Sequence, residues 1–242
     1  MKDLTTLPSM FNATHMKKQA LIIGAIDGIG QAFARMAASR EKYLLLVDST
    51  EMYVKKATQQ LRNDFPDHVI RSLVEDLSGF DSAETIYESV LFSNAFTSVR
   101  EDIDMLINVV EFTPPTENMF ELDEENFGKN LDFLTLQELN SYFGKLMLKQ
   151  GHGEILNVLS GPKHMSELEL AYYKDLERMI MTYSKGLNAK WESKGLSIHA
   201  LSYSGAGLIF LSPDATAAPG QAQSSYSLGY VQELLMHMSQ DS

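Results

Sequence analysis

The sequence predicts an α/β fold in which a doubly wound parallel sheet is covered by helices on both faces. Short apolar runs alternate with long amphipathic stretches from Gln19 onward, a pattern typical of parallel strands joined by helical crossovers. The 242 residues are 44% hydrophobic, which is enough apolar material for one large core. The first apolar run leads directly into a glycine-rich turn that opens a helix. These observations predict one domain built around one sheet.

Six apolar runs predict the strands, and amphipathic stretches predict the helices between and after them. The predicted strands cover residues 20–24, 43–47, 69–74, 104–110, 154–159 and 197–201. The predicted helices cover residues 29–39, 52–65, 82–99, 124–150, 168–193 and 227–238. In a sheet of this kind a ligand binds at the carboxyl ends of the strands. Functional residues are therefore expected just after Gly24, Asp48, Val110, Ser160 and Leu201.

The two ends of the chain do not follow this pattern. Residues 1–17 mix Thr, Pro, Asn and His without an apolar core of signal-peptide length, so we expect a loose arm there. Residues 18–242 are then a single domain. Pro213, Pro219 and Gly220 predict a mobile loop within residues 212–225.

Composition excludes several classes of partner and site. The chain carries 32 Asp and Glu against 20 Lys and Arg, a formal charge of −12, so nucleic acid and anionic membranes are not expected partners. The absence of cysteine excludes disulfides, thiolate metal sites and a cysteine nucleophile. No grouping of His, Asp and Glu has the spacing of a metal site. The longest apolar runs are far shorter than the roughly 20 residues of a membrane helix, and we expect a cytoplasmic protein.

A glycine-rich turn stands between the first strand and the first helix, and its sequence is Gly24-Ala25-Ile26-Asp27-Gly28-Ile29-Gly30. A backbone without Cβ atoms lets the N–H groups at a helix N-terminus approach a pyrophosphate closely. Asp48 ends the second strand 20 residues after Gly28, the position at which a carboxylate meets an adenosine ribose. The turn and Asp48 together predict a Rossmann-type dinucleotide-binding topology. A purely structural strand-to-helix turn is the alternative.

These landmarks resemble the short-chain dehydrogenase/reductase family over roughly residues 18–204, beginning with the Gly-x-x-x-Gly-Ile-Gly spacing of the turn. The likeness continues in Glu75-Asp76-Leu77 after the third strand and in residues 104–108 of the fourth. Residues 154–160 resemble the family's fifth strand, and residues 195–201 resemble the segment that leads into the sixth. Matching landmarks in this order favour common ancestry.

The resemblance implies a nicotinamide dinucleotide cofactor. The Asp48 carboxylate would accept hydrogen bonds from the ribose hydroxyls and repel a 2′-phosphate, so NAD is expected rather than NADP. The alternative is that Asp48 only caps the turn at Ser49 and Thr50. The implied cofactor contacts come from the turn and from later strand ends: Gly24, Asp27, Gly28, Ile29, Gly30, Asp48, Asp76, Leu77 and Asn108.

Ser160 and Tyr173 match the family's catalytic serine and tyrosine. Tyr173 follows Ser160 by 13 residues and precedes Gly195 by 22, as the family pattern requires. The family's lysine, four residues after the tyrosine, is replaced by Glu177. Residues 183–185 read Tyr-Ser-Lys, but they lie too close to Gly195, and the lysine follows the tyrosine by two residues instead of four.

A glutamate at position 177 reverses the electrostatic effect that the family's lysine has on the phenol. The ammonium lowers the pKa of the phenol and binds the nicotinamide ribose. Full ionisation of a phenol at neutral pH needs a depression of roughly 3 pKa units, about 4 kcal/mol, whereas a carboxylate shifts the pKa upward. We therefore expect Tyr173 to stay neutral. Glu177 could itself act as an acid or base if buried, or face the ribose hydroxyls.

Other positions around the expected nicotinamide site also depart from the family. Leu134 occupies the position of the family's active-site asparagine, and Asn130 is a candidate substitute one turn earlier. The remaining departures are Ile23 before the first glycine, Val109-Val110-Glu111 after Asn108, Tyr203-Ser204 after the sixth strand, and Leu208 in place of a threonine.

Three functions follow from these observations. The first is an NAD(H)-binding protein of oxidoreductase ancestry in which hydride transfer is weak or lost. The second is an active oxidoreductase that uses Ser160 and Tyr173 on a small carbonyl or alcohol. The third is a cofactor-free assembly subunit. The resemblance implies a homodimer or homotetramer, because the family commonly packs the helices that correspond to residues 124–150 and 168–193 into a four-helix interface. In the first of these helices apolar residues recur at helical spacing, namely Leu136, Leu139, Phe143, Leu146 and Met147.

Overall fold

The computed structural model describes residues 17–24, 26, 29–39, 43–77, 79, 81–95, 101–113, 132–162, 164–204 and 207–210. Within these ranges the strands are β1 (Lys17–Ile23), β2 (Tyr43–Asp48), β3 (Ile70–Val74), β4 (Glu101–Glu111), β5 (Gly153–Ser160), β6 (Leu196–Ser204) and β7 (Gly207–Phe210). The helices are α1 (Ile29–Ser39), α2 (Glu51–Asp64), α3 (Ser82–Ala95), α4 (Phe133–Gln150) and α5 (Glu167–Trp191), and a short 3-10 turn follows at Glu192–Lys194.

The described strands form one sheet in the order β3-β2-β1-β4-β5-β6-β7. The pairings from β3 through to β6 are parallel, as the sequence predicts. The order reverses between β1 and β4, where Ile23 pairs with Asn108. A ligand crevice in such a sheet lies outside the carboxyl ends of the strands on either side of this reversal.

Two apolar clusters cover the two faces of the sheet. Alternate residues of each strand point to opposite faces, so Leu21 and Ile23 belong to the cluster under α3, α4 and α5, while Ala20 and Ile22 belong to the cluster under α1 and α2. All four side chains are fully buried. The sheet is therefore covered on both faces, which explains why its strands read as continuous apolar runs.

The predicted central helix begins later than the sequence suggested. Asp132 has an extended backbone, with φ −92° and ψ 174°, and its side chain accepts a 2.7 Å hydrogen bond from Thr135 N. An N-cap of this kind marks the N-terminus of a helix. α4 therefore begins at Phe133, and the predicted start at residue 124 is wrong. Residues 124–131 lie outside the described residues.

Several other boundaries differ by smaller amounts. Lys17 belongs to β1 and not to the predicted arm, and β4 extends the predicted strand to Glu101–Glu111. A capping box between Ser166 and Glu169 starts α5 one residue early. β7 was not predicted, and it pairs antiparallel to β6. The predicted arm up to residue 16, the loop at 212–225 and the helix at 227–238 lie outside the described residues.

The apolar stripe of α4 packs against the sheet. Leu136, Leu139, Phe143 and Met147 are fully buried within the core, and Leu146 packs partly buried against it. The stripe therefore needs no partner chain to explain its composition. No helix in the described ranges is long and apolar enough to cross a membrane. The same ranges contain no group of three or more His, Asp or Glu placed to hold a metal ion.

Candidate active site

The glycine-rich turn is joined to the end of β2 by hydrogen bonds. Gly24 has φ 85°, a left-handed conformation that favours glycine, and its N–H donates to Val47 O at 2.9 Å. Ile26 N donates to Asp48 Oδ2 at 3.2 Å. The buried Asp48 carboxylate therefore fixes the position of the turn against the neighbouring strand.

Asp48 also caps the turn at Ser49 and Thr50, as the alternative interpretation of this residue predicts. Thr50 N donates to Asp48 Oδ1 at 3.0 Å. A carboxylate has about four acceptor sites, so these two backbone contacts do not by themselves exclude a ligand contact. The turn, the carboxylate and the start of α1 at Ile29 meet at one end of the sheet, and this donor and acceptor set fits the adenosine half of a dinucleotide. Asp27 and Gly28 lie outside the described residues.

The other implied cofactor contacts differ in their access to solvent. Asp76 is exposed beyond the end of β3, whereas Leu77 is buried. Gly30 and Ile29 are buried in the first turn of α1. Of these residues, Asp76 alone has an exposed side chain at the predicted adenosine site. The cofactor-binding roles stay predictions.

Asn108 lies inside a polar network that joins two strands to two helices. Its side chain is completely buried, and its Nδ2 donates to Asn140 Oδ1 at 2.8 Å and to Asn157 Oδ1 at 3.1 Å. Asn157 Nδ2 donates in turn to Ser184 Oγ at 3.0 Å. The network ties β4 and β5 to α4 and α5, so the observed role of Asn108 is structural.

The Tyr173 phenol is turned toward β6. Its hydroxyl lies 2.7 Å from Ser202 Oγ and 3.2 Å from Tyr203 O, and the residue is 2% exposed. The ring packs edge-on against Phe112 at a centroid distance of 5.4 Å. The hydrogen bonds of the phenol therefore go to β6, and Ser160 is not among the partners.

Strand alternation explains this choice of partner. Leu159 pairs with Ser202 across β5 and β6, and Ser160 pairs with Tyr203. Leu159 belongs to the cluster under α5, whereas Tyr203 packs against the opposite cluster. Because successive residues of a strand alternate between faces, Ser202 points toward α5 and Ser160 shares the other face.

Glu177 is buried one helical turn after Tyr173. The residue is 9% exposed, and its Oε2 lies 2.6 Å from the ammonium of Lys174. Its Oε1 is buried and has no hydrogen-bond partner among the described residues. A buried carboxylate oxygen without a partner is costly.

Burial raises the pKa of the Tyr173 phenol above its ordinary value of 10.0. The hydrogen bond from Ser202 acts in the opposite direction, and the Glu177 carboxylate raises the pKa further. Desolvation is the largest of the three effects because the charged phenolate loses its hydration in the core. The phenol is neutral at physiological pH, as expected from the sequence.

Comparison with known proteins identifies the family. The family model for the short chain dehydrogenases matches residues 18–205. The chain belongs to the short-chain dehydrogenase family. It is 22% identical over 200 residues to very-long-chain 3-oxoacyl-CoA reductase-B of Danio rerio, with 80% of this chain and 61% of that protein covered. It is 27% identical over 188 residues to 2-dehydro-3-deoxy-D-gluconate 5-dehydrogenase of Bacillus subtilis (strain 168), with coverage of 76% and 69%.

Solved structures of short-chain dehydrogenases share the fold. The bulky-bulky ketone specific alcohol dehydrogenase from Comamonas testosteroni aligns with a TM-score of 0.62 at 21% identity, covering 77% of this chain and 72% of that chain. A short-chain dehydrogenase from Sphingobium yanoikuyae in complex with NADPH aligns with a TM-score of 0.62 at 20% identity, covering 78% and 71%. At these identities the likeness concerns the fold, and the chain spans less than two thirds of the length of the Danio rerio reductase.

Several positions set this short-chain dehydrogenase apart from the family pattern. Leu134, at the position of the family's asparagine, is the second residue of α4 and is 58% exposed. Asn130 lies outside the described residues. Ile23 is fully buried in the core, and Leu208 lies in β7. The expected departures on described residues thus fall on the core, on the ends of β4 and β6, on β7 and on the exposed start of a helix.

Sequence reasoning missed the residues that hold Tyr173 and Glu177. Ser202 was not singled out, although the even spacing from Ile198 and Ala200 would have assigned it to the face that packs against α5. The family spacing points to the fourth residue after Tyr173, so it gives no indication of Lys174. Its pairing with Glu177 has i, i+3 spacing, which is a recognisable helical signal.

Proposed function

We propose that this short-chain dehydrogenase homologue binds NAD(H) through its adenosine half and that standard hydride transfer is weak or lost. The observation that carries this proposal is the placement of the Tyr173 phenol on Ser202 and the Tyr203 carbonyl, with Glu177 in place of the family's lysine. Such a protein acts as a scaffold, a subunit or a sensor of the redox state. Its function depends on occupancy of the dinucleotide site more than on turnover.

The adenosine contacts support dinucleotide binding. Asp48 is buried at the end of β2 and hydrogen-bonded to the turn that follows β1, an arrangement that suits a ribose diol. The charge of this carboxylate favours NAD over NADP because it would repel a 2′-phosphate. Related structures contain NADPH, as in the Sphingobium yanoikuyae protein, so the preference for NAD rests on Asp48 of this chain.

The surroundings of Tyr173 support weak catalysis. Reduction of a carbonyl by hydride transfer needs a proton at the carbonyl oxygen, and the family takes it from the tyrosine. In this chain the hydrogen bonds of the phenol go to β6, and the neighbouring carboxylate makes the phenol harder to ionise. The forward proton donation and the reverse proton abstraction are therefore both disfavoured.

One observation favours an active oxidoreductase as a second candidate. Ser160 stands at the end of β5, and Tyr173 lies on α5 at the family's spacing. An active enzyme would need the phenol to turn away from Ser202 and the Ser160 side chain, on the other face of β5, to reach the same substrate carbonyl. The substrate class in that case is a small carbonyl or alcohol.

A pair of measurements tests the proposal. Titration with NADH, followed by the fluorescence of the cofactor, should give saturable binding, with weaker binding of NADPH. A screen of carbonyl substrates with NADH should give no turnover above that of the Tyr173→Phe protein. Absence of NADH and NADPH binding would favour a cofactor-free assembly subunit. Robust turnover that is lost in Tyr173→Phe would establish the oxidoreductase.

A further inference from the structure

The geometry points to a buried pair of coupled hydrogen bonds, here called the couple. In it the Ser202 hydroxyl donates to the Tyr173 phenol, and the phenol donates to the Tyr203 carbonyl. Ser202 is thereby a positioning residue that directs the phenol proton to the backbone. The inference deepens the proposed function and rests on it for its consequence, that a carbonyl bound near Ser160 receives no proton from Tyr173.

Counting protons assigns the direction of both hydrogen bonds. The phenol oxygen lies 2.7 Å from Ser202 Oγ and 3.2 Å from Tyr203 O. A carbonyl oxygen can only accept, and a phenol carries one proton. Both bonds form together only when the phenol donates to Tyr203 and Ser202 donates to the phenol.

The surroundings of the ring hold it in this position. Phe112 packs edge-on against one side of the ring. A Cβ added at Gly161 would overlap the Tyr173 ring, so the absence of a side chain at position 161 makes room for it. Ser202 is 1% exposed, and water does not compete for its hydroxyl. The couple is enclosed by protein on each of these sides.

The backbone at this point also ties the couple to the end of β5. Tyr203 O accepts a 2.8 Å hydrogen bond from Gly161 N, the residue after Ser160. The carbonyl that accepts the hydrogen bond of the phenol therefore lies between β5 and β6, while the side chain of Ser160 is on the opposite face of its strand. The phenol and Ser160 share a neighbourhood without sharing a hydrogen bond.

The two serines provide a matched experiment. 3,5-Difluorotyrosine, whose phenol ionises at lower pH than that of tyrosine, is incorporated at position 173, and its ionisation is followed by 19F NMR in the folded protein. The spectra compare the unmodified serines with Ser202→Ala, Ser202→Thr and Ser160→Ala. If Ser202 is a donor, its removal takes a stabilising hydrogen bond from the phenolate, and the titration midpoint rises by about 1 to 2 pH units.

The shift tests whether Ser202 stabilises the phenolate. Because a serine hydroxyl can rotate and donate to a phenolate, an unchanged or lowered midpoint in Ser202→Ala would show that Ser202 does not hold the phenol and would overturn the inference. The Ser160→Ala midpoint should equal that of the parent, and a larger shift there than in Ser202→Ala would also overturn it. Ser202→Thr keeps the hydroxyl and should restore the parent midpoint. These readouts need no dinucleotide, so NADH titration of the same proteins separates this inference from the proposed function.

A second measurement does not depend on the substitutions. In the unmodified protein, a buried Ser202 hydroxyl proton should give a nuclear Overhauser contact to the Tyr173 ring. A contact from the ring to a Ser160 hydroxyl proton in its place would overturn the inference.

Discussion

The ammonium of Lys174 lies 2.6 Å from the Glu177 carboxylate and 5.8 Å from the centroid of the Tyr173 ring. The cation beside Tyr173 thus comes from the next residue along the helix, and a carboxylate one turn later accompanies it. Because Lys174 is about half exposed, a pair of this kind contributes only about 0 to 1 kcal/mol to stability. The pair partly compensates the charge of Glu177 and leaves its Oε1 without a partner among the described residues.

Glu177→Lys should give measurable but modest NADH-dependent reduction of an activated dicarbonyl. The new ammonium lowers the pKa of the phenol, but it meets Lys174 in place of a carboxylate, and the phenol stays hydrogen-bonded to Ser202. Adding Leu134→Asn should increase the rate further, because it restores an amide at the position of the family's proton-relay asparagine. The two gains need not be additive, since these residues act as a unit. Steady-state NADH oxidation measures the rates, with Tyr173→Phe in the same backgrounds as the control. A gain that survives Tyr173→Phe would show that Tyr173 is not the proton donor.

Asp48→Ala should weaken NAD binding and reduce discrimination against NADP. The substitution removes the expected acceptor for the ribose hydroxyls. It also removes the hydrogen-bond partner of Ile26 N, which joins the turn to β2. Asp48→Asn separates the two effects, since it removes the charge, and with it the repulsion of a 2′-phosphate, but keeps an acceptor oxygen. Calorimetric titration with NAD and NADP measures both affinities, and Asp67→Ala, at an exposed turn, is the control. Unchanged binding of both cofactors in Asp48→Ala would leave Asp48 with the turn-capping role alone.

Stability should fall at alkaline pH, partly through Tyr173. Burial raises its pKa above the unfolded-state value of 10.0, so the folded state holds the proton more tightly. The stability contributed by the neutral phenol is complete below pH 10.0 and is lost as the pH rises through the folded-state pKa. Burial also raises the pKa of Tyr183, which contributes in the same direction. Urea unfolding as a function of pH should show a shallower alkaline loss in Tyr173→Phe than in Tyr172→Phe, an exposed neighbour. Equal slopes in the two variants would contradict this assignment.

Ser184→Ala should lower the free energy of unfolding by about 1 to 3 kcal/mol. Its hydroxyl accepts from Asn157 Nδ2 in the core, and removal leaves that donor buried without its partner. Thr182→Ala, on the exposed face of the same helix, should change stability by less than about 0.5 kcal/mol. Urea denaturation of both variants provides the comparison. A cost for Ser184→Ala no larger than that of the control would mean that the polar network does not stabilise the fold.

The protein should form a homodimer or homotetramer. Because the α4 stripe is buried in the core, the expectation now depends on the exposed residues Leu168, Tyr172 and Met179, which recur along one face of α5. Light scattering at micromolar concentration should give a mass two or four times that of the 27.1 kDa chain. Met179→Arg should reduce the measured mass. Met52→Arg, at an exposed position of α2, is the control. A monomeric parent protein would show that these residues are ordinary exposed side chains.

The sequence alone predicted the layout of the fold because the relevant signals are local. A hydrophobic period of two or of 3.6 residues marks strands and helices, and the six parallel strands lie within a few residues of their predicted bounds. The start of α4 was missed because the apolar period continues through the sequence before Asp132. The capping side chain of Asp132 sets the N-terminus of the helix at Phe133. β7 was missed because a four-residue strand has too few positions to establish a period.

The replacement of the family's lysine by Glu177 was likewise readable from the sequence, since it depends only on spacing from Tyr173. The partner of the Tyr173 hydroxyl was decided by the tertiary structure. Ser160 and Ser202 are both serines near strand ends, and the register of β5 against β6 determines which of them faces α5. Gly161 then leaves room for the ring beside Ser202. Hydrogen-bond partners of this kind depend on the relative placement of distant strands, and that placement is set by packing of the whole sheet, which spacing along the chain does not encode.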